Sequence, residues 1–344
     1  MPQPKGNPRI IGFEITSQCN LTCPHCFSAA GKRAYNDMTT ADCKLVIDTM
    51  ARIGVETIGW TGGEPLLRQD LEELIAYAKD KRIKSTVTTN AVLLDEKRAQ
   101  SLKDSGIRAL QISLDGSTPE RNWNMRRTTD EEFYKIIEAI RISRRMGFKL
   151  ILATMLGFEN LDDAPAMIAL ARREGFEAIR FCGYTPIGRG KHRNIRERLD
   201  FAQGLERLFA FIQESQADES ITAVFDPGFG PVPPGYSFHE CMAGLETFYL
   251  KGNGNVYPCT NLLNDKFCVG NIREKSLEDI WNSPEMSAMA ALPRDQIDGP
   301  CTSCDNFYNC HGACRGAAFA HTGNLNAFFP VCLYHFARQS ALRR

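Results

Sequence analysis

The first half of the chain alternates between two hydrophobic patterns. Short runs rich in Ile, Val, Thr and Phe are typical of β-strands. The stretches between them repeat apolar residues every three or four positions, as on one face of an α-helix. Strands are predicted at residues 9–15, 55–60, 84–89, 107–114, 148–155 and 176–183. Helices are predicted at residues 41–53, 70–81, 95–105, 131–146 and 161–174.

The alternation of strands and helices predicts an α/β fold, in which helices cover a parallel sheet. Thr39 or Thr40 can cap the first helix, and Gly54 ends it. A partial (β/α)6 barrel of the TIM type and an open, doubly wound sheet both fit this pattern. In either fold, functional sites form in the loops after the carboxyl ends of the strands.

The pattern changes after residue 183. A basic, glycine-containing loop (residues 188–198) precedes a helix at 201–215, and a Pro- and Gly-rich stretch at 226–235 reads as a linker. The remainder is rich in turns, with a hairpin whose tip is at 252–254 and short helices at 277–281 and after the last cysteine. We therefore predict a barrel core (1–225), a linker (226–240) and a cysteine-rich domain (241–344).

Charge and hydropathy exclude several classes of partner. The chain has 344 residues, with 41 basic and 41 acidic side chains and no formal net charge. The chain has no excess of basic side chains that would indicate binding to nucleic acid. The N-terminus lacks the long apolar segment of a secretory signal, and no apolar run approaches the ~18 residues that span a membrane. These features favour a cytoplasmic protein without a membrane partner.

Thirteen cysteines are unusual in a protein expected in the reducing cytosol, where cysteine clusters more often bind metal or react than form disulfides. Three lie directly after the first strand, and eight lie between residues 241 and 332. Cys43 and Cys182 stand alone, and we interpret both as small buried core residues.

The first group is Cys19, Cys23 and Cys26, spaced C-x3-C-x2-C. Three close thiolates can hold an iron–sulfur cluster or share one zinc ion. A structural zinc site needs a fourth ligand, and His25 would point elsewhere if the cysteines on both sides of it bind. A four-iron cluster with three thiolates leaves one iron open for another ligand. The spacing favours the cluster over zinc.

A second motif, GGEP, follows the second strand. Gly62 and Gly63 let the backbone approach a ligand closely, and exposed backbone polar groups backed by Glu64 would suit an ammonium group. Because this loop and the three-cysteine loop follow neighbouring strands, we expect them on the same rim of the sheet.

The two motifs together resemble the radical S-adenosylmethionine (radical SAM) superfamily. The resemblance implies that the three cysteines hold a 4Fe–4S cluster, whose fourth iron binds the amino and carboxylate groups of S-adenosylmethionine (AdoMet). It also implies that residues 62–64 receive the methionine amino group. Reduction by one electron would cleave the sulfonium and give a 5′-deoxyadenosyl radical that abstracts hydrogen from a substrate.

The resemblance extends to the ends of the next strands. Asn90 in TTNA and Ser113 in ISLDG would contact the AdoMet ribose and methionine carboxylate, with Asp115 shaping the turn. Arg126 falls where an arginine meets that carboxylate, although Arg127 beside it is an alternative. The segment PIGRG (186–190) is also common in related enzymes.

The C-terminal cysteines match the seven-cysteine pattern of SPASM domains, which hold two auxiliary Fe–S clusters. The pattern is C-x12-G-x4-C, a gap, C-x2-C-x5-C-x3-C, a gap and a last C. The resemblance implies one cluster on Cys301, Cys304, Cys310 and Cys332. It implies a second on Cys241, Cys259 and Cys314. Cys268 would complete two 4Fe–4S clusters with four thiolates each, but a core role for it fits equally well.

The predicted function is that of a radical SAM enzyme that modifies a peptide or protein by crosslinking, oxidation, epimerisation or decarboxylation. A separate protein would deliver the peptide, because too few residues precede the first strand to form a recognition domain. Flavodoxin or ferredoxin would supply electrons.

One alternative is modification of a small molecule, such as oxidative decarboxylation of a tetrapyrrole in haem biosynthesis, with the basic loop at 189–198 holding carboxylates. Another is a non-catalytic, zinc-stabilised binding protein. No catalytic acid or base stands out.

Overall fold

The computed structural model describes residues 6–192, 198–215, 221–226, 229, 237–238, 241–288, 294–330, 332 and 335. Eight strands form the main sheet: β1 (Ile10–Glu14), β2 (Thr57–Thr61), β3 (Lys84–Thr89), β4 (Ala109–Ser113), β5 (Lys149–Leu156), β6 (Ala178–Gly183), β7 (Thr222–Phe225) and β8 (Ser237–Phe238). Seven helices accompany them: α1 (Thr40–Arg52), α2 (Leu71–Asp80), α3 (Glu96–Ser105), α4 (Pro119–Arg126), α5 (Asp130–Arg145), α6 (Ala164–Glu174) and α7 (Arg198–Ser215).

The order of the strands identifies the architecture. Strands β1 to β8 lie side by side in chain order, and each pair is parallel. An open, doubly wound sheet reverses its strand order at a switch point, and this sheet does not. The α/β prediction is therefore confirmed in its partial-barrel form, and the six predicted strands are present with shifts of one or two residues at most ends.

Local sequence explains where the helices begin. Thr39 caps α1 in a capping box with Asp42, as one of the two predicted threonines should. Helix α4 was not predicted, because its residues have no clear apolar stripe. Its start is nevertheless encoded: the Thr118 hydroxyl accepts a hydrogen bond from the Arg121 N–H, and Pro119 occupies the first turn. This helix carries Arg126 in its last turn.

Alternation along each strand separates a helix-covered face from a lumen-facing one. Ile179 and Phe181 of β6 are fully buried on the face that the helices cover. Arg180 and Cys182 alternate with them and therefore face the barrel lumen, where both are half-buried. The interpretation of Cys182 as a core residue is thus wrong, whereas Cys43 is fully buried in the core.

The hairpin predicted around 252–254 is present as β9 (Thr247–Leu250) and β10 (Asn255–Tyr257). Its position was not predicted: β9 pairs in parallel with β1 and extends the barrel sheet. At Gly12 an added Cβ would lie 2.7 Å from the Tyr249 ring, so this junction requires glycine.

Short elements complete the C-terminal part: β11 (Gly270–Asn271), α8 (Leu277–Asn282), α9 (Pro284–Ser287), α10 (Phe307–Cys310) and α11 (Arg315–Thr322). Most of the predicted linker and the predicted last helix lie outside the described residues, so the domain limits at 225 and 241 stay predictions. Among the described helices, none combines the length and apolarity needed to cross a bilayer.

Candidate active site

The three-cysteine loop leaves the carboxyl end of β1 and is fixed at both of its ends. Asp37 accepts hydrogen bonds from the Thr16 hydroxyl (2.7 Å) and from the Ser17 backbone N–H (3.0 Å) and hydroxyl (2.8 Å). Within the loop, the Cys19 N–H donates to the Gly31 carbonyl at 2.7 Å. These bonds hold a long loop without regular structure in one conformation.

The loop brings its three thiols close together in a largely buried setting. Cys19 and Cys23 are 8% exposed, and Cys26 is half-buried. The pKa of the Cys19 thiol is raised to about 12, chiefly by burial and in smaller part by the nearby charges of Glu64, Cys23 and Cys26. Three thiolates this close together in a largely buried loop would repel one another unless a metal centre neutralised their charge. This donor set therefore fits a metal cluster.

The GGEP segment packs directly against the backbone of the cysteine loop. The N–H groups of Gly63 and Glu64 donate to the carbonyls of Thr16 (2.8 Å) and Gln18 (2.7 Å). An added Cβ would lie 2.6 Å from the Thr16 oxygen at Gly62 and 2.2 Å from the Gln18 oxygen at Gly63. Both glycines therefore allow one loop to contact the other, a role that the motif alone did not indicate.

Glu64 connects two rim loops through its buried carboxylate. One oxygen accepts from the Thr89 hydroxyl (2.6 Å) and the Leu66 N–H (3.1 Å), and the other accepts from the Asn90 N–H (2.8 Å). Burial raises the pKa of this carboxyl, and the three hydrogen bonds oppose that shift. The Asn90 side chain in turn donates to Asn20 of the cysteine loop at 2.8 Å.

The other predicted AdoMet contacts lie on the same rim. Ser113 ends β4 and faces the lumen. Arg126 is paired with Asp115, with Nε 2.8 Å from Oδ2, and His25 Nε2 lies 3.3 Å from that same oxygen. Arg127 is exposed and stacks on Trp123 instead, which favours Arg126 of the two candidates. His25 turns toward Asp115, as its place between two cysteines suggested.

The PIGRG segment after β6 contacts the cysteine loop from the other side. Arg189 donates from Nε to the Cys23 carbonyl (3.0 Å) and from its backbone N–H to the Cys26 carbonyl (3.0 Å), and its Nη1 donates to the Ala30 carbonyl. Its guanidinium is therefore engaged in holding the loop. Residues 193–197 of the basic stretch lie outside the described residues.

A buried acidic group on the lumen face of β1 was missed by the sequence analysis. Glu14 is 1% exposed and accepts a hydrogen bond from the Tyr249 hydroxyl at 3.2 Å. Burial raises the pKa of Glu14 to about 7. The pairing of β1 with β9 brings these residues together, and no local sequence signal announces that contact.

Two separate groups of cysteines form in the C-terminal part. Cys259 lies near enough to Cys314 and Cys241 for their charges to raise its pKa, after burial as the main cause. The pKa of Cys332 is raised to about 12 by burial and then by its neighbours, which are Cys310, Cys301 and Cys304. The membership of the two groups coincides with the two sets that the resemblance implied, and the binding of clusters by them stays a prediction.

Arg315 lies between the two groups of cysteines. It is 6% exposed, and its guanidinium donates to the carbonyls of Leu325 (3.0 Å) and Ala327 (2.8 Å). Burial lowers its pKa, while thiols of both groups oppose that shift. One fixed cation therefore faces both sets of thiols.

The contacts that the structure describes for Cys268 are with Gly270 and Tyr257, and its role as a cluster ligand stays a prediction. Its Sγ lies 3.6 Å from the Gly270 carbonyl, and it contacts the Tyr257 hydroxyl, whose pKa is raised to about 12 mainly by burial.

Within the described ranges, no group of three or more His, Cys, Asp and Glu side chains is arranged around a single metal ion. A cluster differs from one ion, because each of its irons takes its own thiolate.

Comparison with known proteins identifies the family of this chain. The sequence profile of the radical SAM superfamily matches residues 13–171, and that of the iron–sulfur cluster-binding SPASM domain matches residues 241–305. The mycofactocin maturase MftC of Mycolicibacterium smegmatis is 30% identical over 95% of this chain and 83% of its own length. The chain belongs to the radical SAM superfamily. It is a radical SAM enzyme with a SPASM domain, which sets aside the non-catalytic zinc-binding alternative.

Two other similarities extend over nearly the whole of this radical SAM enzyme. The AdoMet-dependent heme synthase of Methanosarcina barkeri is 28% identical over 95% of this chain and 97% of its own length. The structure of native anSMEcpe with bound AdoMet and Cp18Cys peptide superposes with a TM-score of 0.77 at 19% identity, covering 98% of this chain and 97% of that one. The structural similarity supports the fold.

Replacement of Cys268 tests whether it binds iron. If it is the eighth ligand, Cys268→Ala should lower the iron content or change the paramagnetic spectrum of one reduced auxiliary cluster. The matched control is Cys182→Ala, which removes a half-buried thiol from the barrel lumen. Spectra unchanged in both variants would assign Cys268 to packing against Tyr257.

Proposed function

We propose that this radical SAM enzyme binds AdoMet at the rim formed by β1 to β4 and modifies a peptide substrate in the barrel lumen. The observation that carries the proposal is the convergence of four rim segments around the three thiols. Glu64 joins the GGEP loop to Asn90, Asn90 reaches the cysteine loop, and Arg189 holds that loop from the far side. The peptide assignment is supported by similarity to a relative named as a maturase.

The residues present fit a cluster that binds AdoMet. Three mutually close thiols, Cys19, Cys23 and Cys26, would each hold one iron and leave the fourth for AdoMet, and the reduced cluster supplies the electron that cleaves the sulfonium. Gly62 and Gly63 bring their loop into contact with the cysteine loop, where the methionine amino group would lie.

Polar side chains around this centre would orient the nucleotide. Asn90 and Ser113 face it from the ends of β3 and β4 and would bind the ribose and carboxylate. Arg126, fixed by Asp115 at 2.8 Å, would complement the carboxylate charge. Glu14, with its pKa near 7, is the best-placed group on β1 to exchange a proton with a substrate.

The SPASM domain would hold two auxiliary clusters on the two groups of cysteines, one of four thiols and one of three. Arg315 would offset the negative charge of both. An external donor such as flavodoxin or ferredoxin would reduce the AdoMet-binding cluster, and a separate protein would deliver the peptide.

A tetrapyrrole substrate is the second candidate. The relative from Methanosarcina barkeri is named a heme synthase, and the chain covers 97% of that protein.

Anaerobic reconstitution with iron and sulfide tests the proposal. The reduced protein should convert AdoMet to 5′-deoxyadenosine, and turnover should rise with its own substrate. A precursor peptide encoded beside the gene would give a peptide product of altered mass, whereas a porphyrin that loses carbon dioxide would support the second candidate. Absence of 5′-deoxyadenosine from fully loaded, reduced protein would contradict both.

A further inference from the structure

The lumen face of β6 contains a half-buried arginine, Arg180, whose Nε has no hydrogen-bond partner in the described part of the chain. Arg180 lies between Ile179 and Phe181, both fully buried on the opposite face, so its side chain enters the lumen. Its Nε is buried and has no hydrogen-bond partner among the described residues, and none of the described ion pairs includes its guanidinium. A buried N–H group without a hydrogen-bond partner is costly, so a ligand atom that accepts from the Arg180 Nε would be favoured.

The surroundings of Arg180 leave space for a ligand. Its register partners are Ala153 on β5 and Val224 on β7, and Ala153 is itself in register with Ser113. The one side chain in register between Arg180 and Ser113 is therefore the methyl group of Ala153. Strands lie about 4.8 Å apart, so the two Cα atoms are roughly 10 Å apart across two strands. A substrate group on Arg180 would lie beside the AdoMet rim without overlapping it.

One carboxylate lies close enough to act on this guanidinium, but none of the described ion pairs joins the two. Cys182 and Asp226 raise the pKa of Arg180, so its positive form is favoured. Burial raises the pKa of Cys182 to about 12, so that thiol is neutral. Asp226 contributes one negative charge near Arg180, and its Oδ1 accepts a hydrogen bond from the Gly183 N–H at 3.0 Å. Arg189 lies on the basic loop that could hold substrate carboxylates, but its guanidinium already donates hydrogen bonds to backbone carbonyls.

We propose that Arg180 is a substrate-binding residue that receives a carboxylate of the substrate inside the barrel. The planar guanidinium matches a carboxylate with two parallel hydrogen bonds, and this geometry also fixes the orientation of the bound group. The inference rests on the proposed function, since it places the reacting part of the substrate between Arg180 and AdoMet. The carboxylate could belong to an acidic peptide side chain or to a tetrapyrrole propionate.

Binding of matched acid and neutral probes tests the inference on the reconstituted holoenzyme with AdoMet. The peptide probes are capped oligopeptides that differ only in Glu or Gln at one position, and the tetrapyrrole probes are coproporphyrin and its methyl ester. We expect one of the two acids to bind more tightly than its neutral partner. Arg180→Gln should weaken that acid at least about tenfold and leave the neutral probe unchanged. The acid that shows the effect identifies the source of the carboxylate.

Three controls separate substrate binding from a structural role. Arg180→Lys keeps the positive charge but lacks the paired N–H donors of the guanidinium. Its affinity for the acid probe should therefore lie between those of the wild type and Arg180→Gln. Arg173→Gln changes an exposed arginine on α6 and should have no effect. The unfolding midpoint of Arg180→Gln should not fall, because none of the described hydrogen bonds or ion pairs of the fold is lost.

The failure of this inference differs from failure of the proposed function. Substrate-free cleavage of AdoMet should be equal in Arg180→Gln and the wild type, and its absence from both would contradict the proposed function. Intact cleavage with equal binding of acid and neutral probes, or with no binding of either acid, would overturn the role of Arg180.

Discussion

Replacement of Cys19, Cys23 and Cys26 together by Ala should reduce cleavage of AdoMet to the background of iron-free protein. The three thiols converge in one buried loop, and no other group of cysteines described in the structure lies beside the GGEP loop. Loss of all three would remove every protein ligand that we propose for the AdoMet-binding cluster. The measurement is 5′-deoxyadenosine formed by dithionite-reduced protein.

The same triple variant should keep the iron of the SPASM domain. Its two groups of cysteines are built on separate segments after residue 241, and the described contacts of β9 with β1, which are backbone pairing and the Tyr249 side chain, involve none of the three replaced cysteines. Cys43→Ala is the matched control, because it removes a thiol that is fully buried in the core and should leave cleavage intact. Persistent 5′-deoxyadenosine in the triple variant would show that the cluster lies elsewhere.

Gly63→Ala should also nearly abolish cleavage, although it changes no group that touches iron. The added Cβ would lie 2.2 Å from the Gln18 carbonyl oxygen, and because that oxygen belongs to the backbone, the loops must separate. Overpacking of this kind costs about 1–3 kcal/mol of unfolding free energy. Misplacement of the rim by about 1 Å is expected to lower the cleavage rate about 100-fold.

Gly31→Ala is the control for this second prediction. Gly31 lies in the same cysteine loop, yet an added Cβ there meets nothing within 4 Å. It should therefore keep wild-type cleavage and stability. Both variants should be measured by denaturant unfolding and by 5′-deoxyadenosine formation. The comparison separates the effect of forcing the two loops apart from the effect of replacing any glycine in this region. Equal rates in Gly63→Ala and the wild type would contradict the contact described here.

Motifs were easier to assign from the sequence than the contacts they make. C-x3-C-x2-C and GGEP identified the rim and its chemistry, since spacing limits which thiols can share a cluster. The sequence did not show that Glu64 would be buried under three hydrogen bonds or that Arg189 would hold the cysteine loop. Those partners lie far apart in the chain, so no local pattern reports them.

The same difference applies to the fold. Hydrophobic periodicity located the six strands of the core, because alternation and apolar stripes are local properties of the chain. It could not choose between a barrel and an open sheet, which depends on which strands become neighbours. Helix α4 was missed since it lacks an apolar stripe, and the pairing of β9 with β1 was missed since it joins residues about 240 positions apart.

The sequence by itself determined the family, the positions of the cysteines and the order of the strand–helix units. Those features follow from residue type, spacing and short-range periodicity. Only the tertiary structure decided which face of β6 each side chain occupies, and so moved Cys182 from the core to the lumen beside Arg180. It also brought Glu14 against Tyr249 and divided the C-terminal thiols into two groups. Each of these outcomes depends on long-range packing, which places residues together that the sequence keeps apart.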